Sequence, residues 1–168
     1  ASSGYRDSVP RHRSINDTVA WSYNLLAPAE QRLLAELAVF AGGWTLEAME
    51  QVCTAAHECM PVLRQLVQKS LVRVEYAEAG ASATRYHLLR AVREYATQRL
   101  AANSAGDRVR QRHFVYYSQL GIALGDQVLG ARHSEAMAGL DADYPNLCAA
   151  LDFAAGKTEL AEQRARLA

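Results

Sequence analysis

Leu71-Val72-Arg73-Val74-Glu75-Tyr76 and, after the small, glycine-containing stretch 77–83, Thr84-Arg85-Tyr86-His87-Leu88 decide the fold of this chain. Both runs alternate apolar and polar side chains with period two, as strands with one buried face do. The residues between them suit a turn, so the pair reads as a β-hairpin. The pattern changes at once afterwards: Leu89 to Leu100 has helical spacing, with no loop long enough to separate it from the second strand.

Working outward toward the N-terminus, four helical patterns precede the hairpin. Residues 1–13 read as an extended linker, because Pro10 and its polar neighbours disfavour helix. Ser14 suits an N-cap with Asp17 three residues on, and Ile15, Val19, Tyr23 and Leu26 follow at helical spacing. Pro28 opens a second helix, with Leu33, Leu34, Leu37, Ala38 and Phe40 on its apolar face and Gly42-Gly43 as its end. Thr45 caps a third helix lined by Leu46, Met49, Val52 and Cys53. Pro61 starts a fourth, in which Val62, Leu63, Leu66 and Val67 point one way. Its opposite face carries Arg64, Gln65, Gln68 and Lys69, the place where a DNA-reading helix would show itself.

Helices followed by a two-stranded hairpin and a further helix make the winged-helix plan, with the hairpin as wing. The expected fold class is therefore mainly α: a winged-helix domain over 14–102, then an α-helical, repeat-like segment over 107–168. Asn103-Ser104-Ala105-Gly106-Asp107 is the breaker cluster between them. Beyond it, Val109 to Leu124 reads as one long amphipathic helix, Ala136 to Asp143 as a second, and Asn146 to Phe153 as a third begun by Pro145.

Composition bounds the function. The 168 residues carry 18 basic and 18 acidic side chains, so no global charge draws the chain to nucleic acid or to an anionic membrane. No apolar run approaches the roughly 20 residues that span a bilayer, and the expected compartment is the cytoplasm. Cys53, Cys59 and Cys148 read as reduced thiols, and Cys53, His57 and Cys59 lack zinc-ligand spacing. Gly156-Lys157-Thr158 is the tail of a phosphate-binding loop, but Leu151 stands where its first glycine belongs and a helix pattern precedes it. Gly156 reads instead as a helix C-cap. No nucleophile elbow or metalloprotease helix occurs, and the five histidines are dispersed. No catalytic residue, metal ligand or cofactor is expected within this chain.

Three stretches carry a family likeness: Arg13-Ser14-Ile15 through Trp21-Ser22-Tyr23-Asn24-Leu25-Leu26; Phe40-Ala41-Gly42-Gly43-Trp44-Thr45-Leu46-Glu47; and Tyr86-His87-Leu88-Leu89-Arg90-Ala91-Val92-Arg93-Glu94-Tyr95-Ala96. Their succession resembles the winged-helix region that follows the nucleotide-binding domain in bacterial signal-transduction ATPases of the STAND, NB-ARC-like class, which include LuxR-type and antibiotic-regulatory transcription regulators. The resemblance implies a non-catalytic regulatory arm. It would pack on an upstream domain binding ATP or ADP with magnesium, and lead into downstream TPR-like repeats that sense a protein or small-molecule inducer.

In relatives of this class a Met-His-Asp triplet at the strand-to-helix junction reaches the nucleotide. It falls here on Leu88-Leu89-Arg90, so its histidine position is apolar, and Arg90 with Ala91 departs from the bacterial Leu-Leu-Glu-Thr. Arg90 and His87 are thereby the candidate contacts to phosphate or to the nucleotide-binding domain. The alternatives are direct DNA binding through Arg64, Gln65, Gln68 and Lys69, and a protein-interaction scaffold that never feels nucleotide. The wing leans against the first of these, since Arg73 and Arg85 are accompanied by Glu75 and Glu78.

Overall fold

The computed structural model describes residues 8–54, 59–76 and 83–155, together with Lys157, Leu160 and Ala165; for residues 8–15 it describes the backbone. Its elements run α1 (Ser8–Asn24), α2 (Pro28–Leu37), α3 (Leu46–Val52), α4 (Cys59–Gln68), β1 (Val72–Glu75), β2 (Arg85–Leu88), α5 (Arg90–Ala101), α6 (Gly106–Val128) and α7 (His133–Ala154). The fold is a winged helix followed by a helical hairpin.

The hairpin is antiparallel, with Val72 opposite Leu88 and Glu75 opposite Arg85. Trp44 adds a third, one-residue strand: it exchanges both backbone hydrogen bonds with Tyr86, at 3.0 and 2.8 Å. The segment between α2 and α3 is thus sewn to the wing. Thr45 then caps α3 as expected, its hydroxyl accepting from the Ala48 amide. At the end of α4, Ser70 takes a left-handed φ of 58° and the Leu71 amide reaches back to the Leu66 carbonyl at 3.0 Å, closing a Schellman turn that delivers the chain into β1.

Four helix limits differ from expectation. α1 begins at Ser8, so residues 8–13 of the expected linker are helical and Ser14 lies inside the helix. Pro10 is compatible with this because amides of a first turn have no intrahelical acceptor to lose. α4 likewise starts at Cys59, with Pro61 in its first turn. α2 stops at Leu37 rather than at the glycines, and Ala38, Val39 and Phe40 are held by three-residue turns. Pro145 does not begin a helix: it lies within α7, which runs unbroken through the two segments read as separate. The burial of Ala136, Asp143, Asn146, Leu147, Ala150 and Ala154 on the inner side of α7 outweighs the single ladder bond that proline removes.

One hydrophobic core serves both parts of the chain. It contains Leu34, Leu37, Phe40, Trp44, Met49, Leu63 and Leu66 from the winged helix, Leu100 from α5, and Val109, Phe114, Tyr117 and Ala150 from the helices beyond. The breaker cluster at 103–107 is a tight turn. Gly106 is required there, since a Cβ would stand 2.4 Å from the Leu100 carbonyl oxygen. The wing turn over 77–82, His57, and Gly156 and Thr158 of the phosphate-loop-like string lie outside the described residues.

Candidate functional site

The polar face of α4 forms as expected. Leu63 and Leu66 are buried beneath it, while Arg64, Gln65 and Gln68 stand in solvent. Lys69 is exposed beside them but engaged. Its ammonium is held by Glu30 at 2.6 Å, and that carboxylate is buried and also accepts from the Ala27 amide at 2.7 Å at the start of α2. Burial alone would raise the Glu30 pKa, but the Lys69 ammonium and the Ala27 amide bring it below the ordinary carboxylate value. Lys69 therefore fastens the end of α4 to α2. On the wing, the exposed Arg73 faces Glu75 at 3.8 Å.

The helix-turn-helix corner is anchored from both sides. The buried Glu36 carboxylate accepts from the Thr54 amide at 2.8 Å and from the Thr54 hydroxyl. Arg112 of α6 donates to the Cys53 carbonyl at 3.0 Å. α3 and α4 are thus oriented by groups outside the motif itself.

A second polar constellation lies at the junction of the wing, loop 41–43 and α7, and no pattern in the sequence singled it out. Arg85 of β2 donates from Nη2 to Asp143 Oδ1 at 2.6 Å, to the Gly43 carbonyl at 2.7 Å and to the Ala142 carbonyl at 3.1 Å. Asn146, wholly buried, accepts from the Ala41 amide at 2.8 Å and donates from Nδ2 to the Gly43 carbonyl at 2.9 Å. The glycines make this approach possible. A Cβ on Gly42 would press on the Pro145 ring at 3.3 Å, and one on Gly43 would strike the His87 imidazole at 2.3 Å. The side chains of Arg85 and Asp143 are only 13% and 11% exposed, so the ion pair is largely desolvated yet amply hydrogen-bonded. The sequence offered no signal for it, because Arg85 stands opposite Glu75 across the hairpin and reads as locally paired.

Aromatic rings continue this junction inward. Tyr86 of β2 stacks near Trp44, Trp44 stacks on Phe40 with centroids 5.3 Å apart, and Phe40 meets the edges of His113 and Tyr117 of α6 at 5.5 and 6.3 Å. These aromatics are core, not a stacking platform for bases; Trp21 on α1, 66% exposed, differs from them. Burial holds His113 neutral and brings its pKa down to about 4.

The candidate nucleotide contacts fall on a cleft of about 830 Å³ between loop 41–42, β2 and α5. Leu89 is the N-cap of α5 and Arg90 its first residue. The Arg90 side chain is 92% exposed and pairs with Glu94 at 2.9 Å along the same helix. His87 lines the cleft, its Nε2 3.1 Å from Glu75 Oε2; burial lowers its pKa, an effect that Glu75 partly opposes. Among the described residues no group of histidine, cysteine, aspartate or glutamate side chains could hold a metal ion, and no helix is long and apolar enough to cross a membrane.

This geometry defines a winged helix-turn-helix module, and residues 26–101 match the family described as the winged helix-turn-helix domain. The chain is similar to a Mycobacterium tuberculosis protein assigned to the HTH-type transcriptional regulators, with 34% identity over 151 residues. That alignment covers 88% of this chain and 17% of the relative; a Mycobacterium bovis protein of the same description matches equally. An uncharacterized M. tuberculosis protein is 32% identical over 118 residues, which is 67% of this chain and 29% of that protein. The chain thus spans about a sixth of the length of the first of these relatives. No solved structure matches it.

Proposed function

We propose that this chain is the winged-helix relay of a larger transcriptional regulator, joining an upstream nucleotide-binding domain to downstream helical repeats and carrying no catalytic group of its own. The observation that carries this reading is the buried Arg85, Asp143 and Asn146 junction, which makes the wing and α7 move as one body. A displacement of the downstream helices then reaches the wing and the start of α5 without being absorbed in a flexible joint. The nucleotide, ATP or ADP with magnesium, belongs to the upstream domain, and Arg90 and His87 stand on the face turned toward it. The inducer, a protein or a small molecule, acts on the repeats. In the longer protein, Arg90→Glu is expected to change ADP affinity while leaving the thermal stability of this arm unchanged. Equal ADP affinity in variant and wild type would remove the relay's link to nucleotide.

Direct DNA reading by α4 is the second reading, favoured by the free Arg64, Gln65 and Gln68, whose side chains are of types that read base edges. It ranks lower because Lys69 is paired with Glu30, Arg85 is held by Asp143 within the fold and Arg73 faces a glutamate, leaving few cations for phosphate. Duplex DNA should bind this chain weakly and with loss on modest addition of salt. Sub-micromolar, sequence-selective binding abolished by Arg64→Ala with Gln68→Ala would reverse the ranking.

A further inference from the structure

The cleft beside α5 contains a cation that the fold itself does not use. Arg93 has its Nε buried without a hydrogen-bond partner, and among the described residues its guanidinium meets no carboxylate or carbonyl. Every other arginine that lines a junction here is engaged: Arg85 by Asp143, Arg90 by Glu94, Arg112 by the Cys53 carbonyl. A partly desolvated guanidinium left unpaired is costly, and a planar fork is best satisfied by a planar anion.

The cleft's shape narrows the anion's source. Arg90, Arg93, Glu94, Thr97 and Gln98 line it along one face of α5, a run of about 12 Å at 1.5 Å per residue, with His87 of β2 also in its lining. That is a trough for a length of chain, not a cup for a compact ion. Glu94 within it disfavours a multiply charged group, whereas Gln98 offers an amide to a backbone and the Thr97 hydroxyl, which donates to the Arg93 carbonyl, can still accept from one. We infer that this trough is a docking site for an acidic protein segment, one of whose carboxylates pairs with Arg93 while its backbone runs past Thr97 and Gln98. This rests on the reading of the α5 junction as a face turned toward another domain, and it assigns to that face a carboxylate-bearing protein surface.

The test titrates the chain with a short blocked peptide carrying a single glutamate, with the same peptide carrying glutamine in its place, and with inorganic phosphate. The Arg93 Nε–Hε resonance and calorimetry report binding. Saturable binding of the glutamate peptide alone is expected, weakened about tenfold by Arg93→Lys, which keeps the charge but loses the fork. Arg93→Lys is expected to melt with wild type, and Glu94→Gln to bind more tightly. Equal binding of the glutamine peptide, phosphate shifting the Arg93 resonance as fully as the acidic peptide, or no binding at millimolar peptide would each overturn the inference. The relay reading fails separately, through unchanged ADP affinity in the Arg90→Glu variant while the peptide still binds at Arg93.

Discussion

The face of α4 and the junction at loop 41–43 are both polar and follow opposite rules. On α4, Arg64, Gln65 and Gln68 stand in water over a packed apolar floor, and nothing in the fold depends on where they point. At the junction, Arg85, Asp143 and Asn146 are withdrawn from water, and each donor is matched to an acceptor held by a different element. Polar groups left in solvent cost little and remain free for a partner; polar groups taken out of it fix a geometry, because any displacement strands them. The winged helix therefore meets the outside through α4 and is locked to α7 through the wing.

The strongest way to break this contrast is to remove one half of the buried pair. Arg85→Met should cost about 3–5 kcal/mol, since it leaves Asp143 desolvated and the Gly43 carbonyl short of a donor. Adding Asp143→Leu should recover a large part of that loss, because the stranded charge goes with it. Urea titration of wild type, both single variants and the double variant closes the cycle. A loss below about 1 kcal/mol in Arg85→Met would place the junction among ordinary surface pairs.

His113 extends the contrast to pH. Its pKa is about 4 when folded and 6.5 when free, so above pH 6.5 both states hold it neutral and it contributes no pH dependence. As pH falls below 6.5 the unfolded chain takes up a proton that the folded chain refuses, and stability drops, by about 3 kcal/mol in all by pH 4. Glu30, whose folded pKa is lowered, keeps its contribution through most of that range and loses it only as pH falls below its free value of 4.5 toward the folded one. His113→Asn should flatten the stability profile between pH 6.5 and 5, whatever its effect on the baseline. A profile unchanged by the substitution would show that the imidazole is not held neutral by burial.

The sequence showed what repeats locally and missed what closes over distance. Period-two alternation revealed the hairpin, the Thr45 cap revealed α3, and the spacing of Leu63 and Leu66 revealed which side of α4 is buried. These are short-range consequences of backbone geometry. Asn146 reaches Ala41 across 105 positions and Arg85 reaches Asp143 across 58, and neither leaves a periodic trace. Pro145 misled for the same reason: its local meaning is a helix start, and only packing of α7 along its whole inner face keeps the helix running through it. The Lys69–Glu30 pair is hidden for the same reason: the lysine is exposed as its place at the end of α4 suggests, but the partner that holds it lies two elements away.

A smaller effect belongs to the turn that carries α4 into the wing. Ser70, at φ 58°, occupies a position that glycine adopts without strain. Ser70→Gly should stabilise the chain by about 0.5–1 kcal/mol, offset in part by the greater freedom of glycine when unfolded. Thermal melts at one pH suffice to measure it. Destabilisation would mean that the serine side chain contributes more to the turn than its backbone strain costs.

The smallest stability effect is expected on α4 itself, and it is the sharpest test of the two rules. Arg64→Ala and Gln68→Ala remove side chains that are exposed and make no contact on which the fold rests. Alanine is also a good helix former, so stability should stay within about 0.5 kcal/mol of wild type. A third variant, Lys69→Ala, begins one residue further on and should behave differently, because it leaves Glu30 buried without its cation. Its cost should reach about 1–3 kcal/mol, as for a buried polar group that loses its partner, and should shrink as pH falls and Glu30 takes up a proton. If all three variants unfolded at the same urea concentration, Lys69 would belong with the open face after all, and its ammonium would be free to meet phosphate beside Arg64.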